Sequence, residues 1–362
     1  VMYTSGSTGH PKGVVMTHRG AISTLMSWHF GLRVLDVMGL GPVPYVDKNH
    51  QPYQPCQLVS VPFFHVSGTH GGLLLALWSG TKLVIMKKWD PPEAVRLIEL
   101  EKVSRFGGVP TMAAEILGEA KKVGAKLESI RLIDTGGAAR PADQAREMAE
   151  SIPNVLTGTS YGMTETNALG IAIRGKEDLE NPEVTGRLIA PLAEMRIVDE
   201  FDNDVEIGDV GELVLKSAAN MRCYLNKDAE TSEVLKDGWL YTGDLAKIDK
   251  NELITLVDRK KNIIIRGGEN ISAQEVQTVI LEHPDVIEAA IFALPNERLG
   301  EIVGACVFCG ETSNADEDSL KEFLRKSLAA YKIPEHIWFK KKPLPRVASE
   351  KIDVESLKKE YS

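Results

Sequence analysis

Between residues 56 and about 170 the sequence alternates short apolar runs with segments of helical periodicity. Such alternation is typical of a parallel sheet whose strands are joined by crossover helices. Asp90 before Pro91-Pro92-Glu93 supplies an N-cap, proline in the first turn and an early acid, which together indicate a helix start. The sequence therefore predicts an α/β fold with parallel-rich sheets. The expected strands are 58–61, 82–86, 104–109, 130–133 and 155–159, and the expected helices are 91–102, 111–123 and 141–151.

The pattern changes twice further along the chain. Between about 184 and 257 it consists of short strands and turns, which predicts a smaller β-rich subdomain. After a charged segment it becomes an α+β pattern of domain size, with helices expected at 273–281 and 319–329. We therefore expect a large domain at 1–257, a hinge at 258–262 and a small C-terminal domain at 263–362.

Composition argues against several classes of protein. A net charge of -9 over 362 residues disfavours a nucleic-acid partner. The sequence has no apolar stretch of the length of a membrane span and no signal-peptide pattern at its start, so we expect a cytoplasmic protein. Four cysteines make no disulfide framework. Cys306 and Cys309 form a CxxC, but a strand expected at 302–308 directs them to opposite faces, which disfavours a metal or redox site.

A run rich in glycine and hydroxyl groups near the start predicts a polyphosphate site. Glycines let the backbone approach an anion, hydroxyls add donors and Lys12 adds a point charge. Strand-like flanks disfavour a flexible linker, and Pro11 and Gly13 on either side of Lys12 do not fit a Walker A loop. The candidate residues are Thr4, Ser5, Gly6, Ser7, Thr8, Gly9 and Lys12.

Three further clusters favour a nucleotide ligand. The segment 158–166 follows an expected strand, at the end where open α/β sheets bind ligands. The segment 134–138 lies at the end of another expected strand, and its small residues would let a flat ring lie on the backbone. Asp244 follows a turn, and such a carboxylate can accept both hydroxyls of a ribose. Each cluster alone is also compatible with an ordinary turn or a capping aspartate.

Taken in order, these segments resemble the adenylate-forming superfamily of acyl-CoA synthetases, carrier-loading adenylation domains and luciferases. The run YTSGSTGHPKG matches its phosphate loop, YGMTE its adenine and magnesium motif, and YTGD its ribose aspartate. DRKKNIIIRGGENISAQEV matches the hinge and the start of the mobile domain, LAAYKIP a late core motif, and LPRVASEK the catalytic lysine motif. The motifs occur in the family's order and span residues 3 to 351.

The resemblance implies a two-step reaction that uses ATP, Mg²⁺ and coenzyme A. A carboxylate attacks the α-phosphate to give an acyl-adenylate, and a thiol then displaces AMP after the small domain turns on its hinge. Positioning and charge neutralisation must dominate the first step, because one anion attacks another. The resemblance implies that Thr4 to Gly9 and Lys12 bind the β- and γ-phosphates, that Thr164 binds the α-phosphate and that Glu165 binds Mg²⁺. It implies that adenine is flanked by Gly136, Gly137, Ala138 and Tyr161, and that ribose is bound by Asp244 and Arg259. Lys261 is implied to be the hinge residue, Gly267 and Gly268 to form the turn of the mobile domain, and Lys351 to catalyse adenylation.

His65 lies in the segment PFFHVSG. That segment matches the aromatic-rich motif that separates the acyl pocket from the thiol tunnel in this family. A histidine beside two phenylalanines is otherwise more often a core residue. With the resemblance, we expect His65 to gate the pocket or orient the substrate.

The sequence departs from the family's pattern in two places. Glu350 stands where the family carries glycine, which puts an acid beside the lysine that must meet two anions. Members of the family also carry a substantial segment before the phosphate loop, which here begins at residue 3. We therefore expect this chain to be a fragment, or a gene model that begins late, which exposes apolar surface and is poorly soluble or inactive by itself.

The leading hypothesis is an AMP-forming acyl-CoA synthetase for a fatty or other apolar acid. The phrase GGVPTM and the general run of the sequence look more like medium- or long-chain fatty acid ligases than peptide-synthetase domains. Two alternatives are an adenylation domain that loads a carrier protein and a non-catalytic nucleotide-binding module. The sequence makes no prediction of oligomeric state.

Overall fold

The computed structural model describes residues 1–4, 11–138, 140–310, 313, 315–347 and 351–361, with only the backbone of Lys261. The strands are β1 (Met2–Thr4), β2 (Lys12–Val15), β3 (Cys56–Val59), β4 (Lys82–Ile85), β5 (Arg105–Gly108), β6 (Leu132–Gly136), β7 (Leu156–Tyr161), β8 (Ile171–Arg174), β9 (Arg187–Leu188), β10 (Ala193–Val198), β11 (Gly211–Ser217), β12 (Cys223–Tyr224), β13 (Leu235–Lys236), β14 (Trp239–Ile248), β15 (Ile254–Arg259), β16 (Ile263–Arg266), β17 (Glu269–Ser272), β18 (Val286–Asn296), β19 (Gly300–Cys309) and β20 (His336–Lys340).

Helices connect most of these strands. The α-helices are α1 (His18–Val37), α2 (Leu75–Ser79), α3 (Pro91–Glu101), α4 (Pro110–Val123), α5 (Gln144–Ser151), α6 (Lys176–Glu180), α7 (Asp228–Val234), α8 (Ala273–Leu281), α9 (Glu317–Leu324) and α10 (Val354–Tyr361). A π-helix at Ser67–Leu74 runs directly into α2, and 3₁₀ turns lie at Thr164–Thr166, Lys260–Asn262 and Ala330–Lys332.

The predicted α/β class is confirmed by a seven-stranded sheet of order β4-β3-β5-β6-β7-β8-β9. Its first five strands are parallel, and β8 and β9 are antiparallel additions. The crossover helix α3 begins where the sequence predicts, because the Asp90 side chain accepts a hydrogen bond from the Glu93 N–H at 2.9 Å. The sheet therefore brings the carboxyl ends of β6 and β7 side by side.

Other strands of the chain form smaller sheets. The strands β1, β2 and β12 form an antiparallel sheet in the order β1-β2-β12. Another sheet has the order β10-β11-β14-β13, with β15 beside β14, which agrees with the β-rich pattern after residue 184. The strands β13 and β14 are joined by a two-residue turn at Asp237-Gly238, where both residues have positive φ as a type I′ turn requires.

The chain divides into two compact units. The first comprises Val1–Asp209, Leu213–Thr242 and Ile248–Thr255. The second comprises Val210–Glu212, Gly243–Lys247 and Leu256–Ser362.

The core of the first unit lies between the parallel sheet and the helices α3, α4 and α5. It contains Leu58 and Phe106 from the sheet, Ile98 from α3, Ile116 from α4 and Met148 from α5, all at most 2% exposed. Burial of one such side chain stabilises the fold by about 1.5 to 3 kcal/mol. This core positions the strand ends that carry the candidate site.

The second unit is a sheet of order β17-β16-β19-β18, with β20 parallel to β19. Alternate residues of β18 serve different cores: Ile291 packs with α8 and α9, and Phe292 packs with Leu357 of α10. The same alternation separates the two cysteines, because Cys306 is in the core with α10 and Cys309 packs against the other core. The sequence-based placement of the CxxC on opposite faces is therefore confirmed.

Several predicted boundaries were wrong by two or more residues, among them those of β3 and α9. The strand expected at 58–61 is β3 and ends before Pro62, which lacks a backbone donor. The helix expected at 319–329 is α9 and starts earlier, because the Asp316 side chain accepts from the Ser319 N–H in a capping box. It ends at Leu324, where the following bonds tighten to three-residue spacing.

Helix α1 presents a row of apolar side chains to solvent. The row follows the helical spacing of four residues, as one stripe of a helix does. It consists of Ile22 (48% exposed), Met26 (50%), Phe30 (53%) and Val34 (38%). Among the described residues, no helix is both long enough and apolar enough to cross a membrane.

A buried ion pair links α6 to the rest of the first unit and predicts a large stability effect. Asp178, which is 0% exposed, accepts from Arg140 at 3.0 Å and from the Thr157 hydroxyl at 2.8 Å. Replacing Arg140 by leucine leaves this carboxylate buried and uncompensated, so we expect a loss of about 3 to 5 kcal/mol. Arg146→Leu is the control, because its pair with Asp143 is solvent-exposed, and about 1 kcal/mol or less is expected there. Urea unfolding measures both changes, and equal losses for the two variants would contradict the interpretation.

Candidate active site

The ends of the predicted phosphate loop face each other in an antiparallel hairpin. Thr4 at the end of β1 is paired with Lys12 at the start of β2, so the strand-like flanks predicted from the sequence are confirmed. The loop between them is therefore closed at its base by backbone pairing. Its predicted phosphate ligands Ser5, Gly6, Ser7, Thr8 and Gly9 lie outside the described residues.

Lys12 and Glu165 are joined by a tyrosine that the sequence did not single out. The Tyr224 hydroxyl donates to Glu165 Oε1 at 2.8 Å, and Lys12 Nζ lies 5.0 Å from the centre of the Tyr224 ring. Glu165 is only 6% exposed. Burial and the nearby carboxylate both raise the pKa of the Tyr224 phenol, so it stays a donor. The arrangement holds one buried carboxylate and one ammonium beside a common ring.

Local pairing explains how Tyr224 reaches this position. Tyr224 lies in β12 opposite Val14 of β2, so it belongs to the same small sheet as the loop's hairpin. The Met221 N–H also donates to the carbonyl oxygen of Glu165 at 2.6 Å. Thr164, the predicted α-phosphate residue, precedes Glu165 in the same 3₁₀ turn. No motif in the sequence marks Tyr224, because its role comes from a strand pairing distant in the chain.

The residues predicted to flank adenine lie at the carboxyl ends of β6 and β7. Gly136 is paired with Ser160, and a Cβ on Gly136 would come within 2.8 Å of the Ser160 carbonyl oxygen. Gly137 has a φ of +77°, which favours glycine. Tyr161 ends β7, and Ala138 follows Gly137. The structure thus brings these four predicted residues together on neighbouring strand ends.

Asp244 and Arg259 form an ion pair within the second unit. Arg259 Nε lies 3.1 Å from Asp244 Oδ1, and the Asp244 side chain is 8% exposed. Glu212 repeats the pattern beside them, since its carboxylate accepts from the Gly243 N–H at 3.0 Å and pairs with Lys260 at 3.1 Å. Two carboxylates therefore pair with Arg259 and Lys260, the two cationic residues near the start of the predicted hinge. Lys261 follows in the 3₁₀ turn, and its side chain is not among those described.

Lys351 lies at a turn tied to the second unit's sheet. The Val347 N–H donates to the Lys351 carbonyl oxygen at 2.9 Å, and Arg346 is bridged to Ile352. Arg346 also pairs with Glu288 of β18, which is 6% exposed. Desolvation and the positive charge of Arg259 lower the pKa of Lys351, and Asp244 partly offsets them. Lys351 is thus within electrostatic reach of the Asp244 and Arg259 pair. Glu350 lies outside the described residues.

The other predicted residues lie in turns. Gly267 and Gly268 form a two-residue loop between β16 and β17, with φ of +61° and +91°, as a hairpin requires. His65 precedes the π-helix, and its ring centroid is 4.7 Å from that of Phe64. Phe63 and Phe64 are 38% and 59% exposed, so this segment is not a core aromatic cluster.

Comparison with known proteins identifies the family of this arrangement. The model of the AMP-binding enzyme family matches residues 1–225, and that of the AMP-binding enzyme C-terminal domain matches residues 275–351. The chain belongs to the AMP-binding enzyme family. The first match alone covers more than half of the chain.

Two curated proteins similar to this chain are CoA ligases. A feruloyl-CoA synthase of Amycolatopsis is 32% identical over 352 residues, which are 97% of this chain and 67% of that protein. A long-chain-fatty-acid–CoA ligase of Bacillus subtilis is 29% identical over 371 residues, 97% of this chain and 60% of that protein. This chain therefore spans about three fifths to two thirds of the length of these curated relatives.

A solved structure of the same family has the same fold. The o-succinylbenzoate CoA synthetase of Bacillus subtilis, in complex with ATP and magnesium ion, aligns with a TM-score of 0.81 and 28% identity. The alignment covers 99% of this chain and 69% of that one. The predictions of an adenylate-forming fold and of ATP and Mg²⁺ as family cofactors are thereby confirmed at the level of the family.

The side chains present fit the way an AMP-binding enzyme would hold Mg²⁺. Among the described residues there is no group of three or more His, Cys, Asp or Glu that could bind a metal ion. Mg²⁺ in nucleotide sites is usually bound by one or two carboxylates and by substrate phosphates. Glu165 is one such carboxylate: it is buried and accepts a hydrogen bond from Tyr224, whose ring lies near the Lys12 ammonium.

Proposed function

We propose that this protein forms an acyl-adenylate from ATP and a carboxylic acid and then transfers the acyl group to coenzyme A. The observation that carries the proposal is the buried Glu165 carboxylate, held by Tyr224 beside Lys12 at the base of the phosphate loop. A carboxylate and an ammonium at one end of a glycine-rich hairpin match the needs of a metal-bound polyphosphate. The family membership and the CoA-ligase relatives support the reaction class.

The first step requires the carboxylate oxygen to attack the α-phosphorus while pyrophosphate leaves. Lys12 and the hydroxyls of Thr4 to Thr8 would bind the β- and γ-phosphates, and Thr164 would donate to the α-phosphate. Bound through Glu165, Mg²⁺ would neutralise phosphate charge. Lys351 would neutralise the two anions that meet, because an ammonium can bridge the carboxylate and the α-phosphate. Gly136, Gly137, Ala138 and Tyr161 would hold adenine, and Asp244 with Arg259 would hold ribose.

The second step requires Lys351 to leave and a thiol to reach the acyl carbon. We propose that a domain at 263–362 turns on residues 258–262, with Lys261 at the hinge and Gly267-Gly268 in the turn that enters the site. His65 would gate the acyl pocket for the thiol. Lysine suits a residue that is brought in and withdrawn by a domain motion.

We propose a fatty or other apolar acid as the substrate. The likeness of GGVPTM to fatty acid ligases and the Bacillus subtilis relative support this choice, and the feruloyl-CoA synthase supports an aromatic acid instead. The cytoplasmic location stays a prediction from the sequence.

The test is AMP and acyl-CoA formation by the purified full-length protein over straight-chain acids of graded length and aromatic propenoic acids. We expect AMP to appear only with acid, and an acyl-CoA to form with the longer straight chains. Transfer to a phosphopantetheinylated carrier but not to coenzyme A would favour the loading function. ATP binding without AMP formation for any acid would contradict an enzymatic role.

The lowered pKa of Lys351 predicts a pH dependence of adenylation. The lysine acts when protonated, so the rate falls as the pH rises through its pKa, at a lower pH than for an ordinary lysine. Arg259→Gln removes a charge that lowers this pKa, so we expect the descending limb to move to higher pH. Pyrophosphate-exchange rates measured against pH give the midpoint. Arg266→Gln is the control, because Arg266 pairs with Glu335 in the same unit, and an identical shift in both variants would refute the assignment.

A further inference from the structure

Asn167 ends the turn that carries Thr164 and Glu165, and its side chain is fully buried. It caps the 3₁₀ turn Thr164–Thr166 with a φ of +53°, a conformation that asparagine tolerates better than most residues. Its exposure is 0%. Whatever fixes the Asn167 side chain therefore also fixes the end of the turn that presents Glu165.

Two hydrogen bonds define which way the Asn167 amide points. Its Nδ2 donates to the Ala219 carbonyl oxygen at 2.6 Å, so its Oδ1 must be the acceptor on the other side. His70 Nε2 lies 3.0 Å from that oxygen and must carry the hydrogen. His70 is 3% exposed and burial lowers its pKa, so the ring is neutral. Its Nδ1 has no partner among the described residues.

His70 is delivered to this position by a closely packed element. It lies in the middle of the π-helix Ser67–Leu74, a geometry that is rare and often found at functional sites. A Cβ on Gly68 would come within 2.3 Å of the Pro62 carbonyl oxygen, so the helix begins in close contact with the preceding turn. The start of the π-helix is therefore fixed by close packing, and the helix places the His70 ring against one side of Asn167.

Helix α1 approaches Asn167 from another side, where only glycine fits. A Cβ on Gly20 would lie 2.9 Å from Asn167 Nδ2. Beside this contact there is a cavity of about 360 Å³, lined by Met16, Thr17, His18, Ala21, His70 and Asn167. The His70 ring and the Asn167 amide both line this cavity.

We propose that His70 is a positioning residue for the metal-nucleotide site: its hydrogen bond to Asn167 fixes the turn that aims Glu165. The proposal rests on the proposed function, because it assigns Glu165 to Mg²⁺. His70 acts through Asn167 and does not touch the reacting atoms. Loss of a hydrogen bond made directly to a metal ligand typically weakens metal binding or activity by about 10- to 100-fold, and the bond of His70 lies one residue further from the metal, so the lower end of that range is the upper limit here.

Calorimetric titration of the purified protein with ATP tests the proposal, once with excess Mg²⁺ and once with EDTA. For His70→Leu we expect weaker binding of Mg·ATP, by up to about 10-fold, and little change in metal-free ATP binding. His70→Gln keeps an N–H donor and should restore most of the affinity. Gly20→Ala should give the same selective loss as His70→Leu, because it displaces the Asn167 amide from another side. His18→Leu is the control, since His18 lines the cavity without bonding to Asn167.

The outcomes separate this proposal from the proposed function. If the wild-type protein binds no Mg·ATP, the proposed function fails. If the wild type binds and His70→Leu binds equally well, only the role of His70 fails. Equal weakening with Mg²⁺ and with EDTA, or no rescue by His70→Gln, would show a merely structural histidine and overturn the proposal.

Discussion

Lys351→Ala is expected to slow acyl-adenylate formation by about 100- to 1,000-fold, the usual cost of removing a charge aimed at a developing anion. The thioester step should be spared, because Lys351 is proposed to have left the site before the thiol attacks. The structure ties the lysine's turn to β18 through Arg346 and Glu288 and keeps Lys351 within electrostatic reach of Asp244. The lysine is thus held near the proposed ribose carboxylate.

The two half-reactions are measured separately for Lys351→Ala. Acid-dependent pyrophosphate exchange reports the first step, and acyl-CoA formation from added acyl-adenylate reports the second. Lys341→Ala serves as the control, because Lys341 is an exposed lysine of the same unit outside the proposed site. Equal loss in both half-reactions would place Lys351 in general folding or binding, contrary to the proposed role.

Glu165→Gln is expected to reduce Mg²⁺-dependent adenylation by about 1,000-fold, since metal-ion stabilisation is worth several kcal/mol in such reactions. The amide retains the shape of the carboxylate and an oxygen that can accept from Tyr224, so the fold should persist. Only the negative charge for the metal is lost. The expected signature is a raised Mg²⁺ requirement in addition to the lower rate.

Rates against Mg²⁺ concentration measure this effect for Glu165→Gln. Tyr224→Phe removes the donor and keeps the carboxylate, so it should cause a smaller loss, about 10-fold, typical of an outer hydrogen bond at a metal site. Glu150→Gln, an exposed carboxylate on α5, is the control. An unchanged Mg²⁺ dependence in Glu165→Gln would mean that the metal is held elsewhere.

The parts of the fold that could be predicted from sequence are those with local signals. The crossover helix α3 has its cap at Asp90, and the turn at Gly267-Gly268 has positive φ at both residues. The helix start and the turn could therefore be predicted from the sequence alone. The alternation of apolar runs likewise predicts the parallel sheet. Helix boundaries were predicted less well than the helices themselves. The apolar pattern did not indicate the early start of α9, because Asp316 and the capping box that it forms fix this start.

The parts of the site that were missed depend on contacts between distant segments. Tyr224 reaches Glu165 because β12 pairs with β2. His70 reaches Asn167 from a π-helix, a geometry for which the sequence gives no periodic signal. Asp244 is the opposite case. Its motif could be recognised in the sequence, but the hydrogen bond from the neighbouring Gly243 N–H to Glu212 could not be predicted from it. Motifs therefore indicate which residues act, and tertiary contacts determine how they are held.

The most direct test of the proposed chemistry follows the oxygen atoms of the substrate acid. The acid is labelled with ¹⁸O in its carboxylate and incubated with ATP, Mg²⁺ and coenzyme A. If the carboxylate attacks the α-phosphorus and the thiol then attacks the acyl carbon, one labelled oxygen must leave in AMP. Mass spectrometry should therefore find ¹⁸O in AMP and none in pyrophosphate. Unlabelled AMP, or label in inorganic phosphate together with ADP, would contradict an acyl-adenylate mechanism.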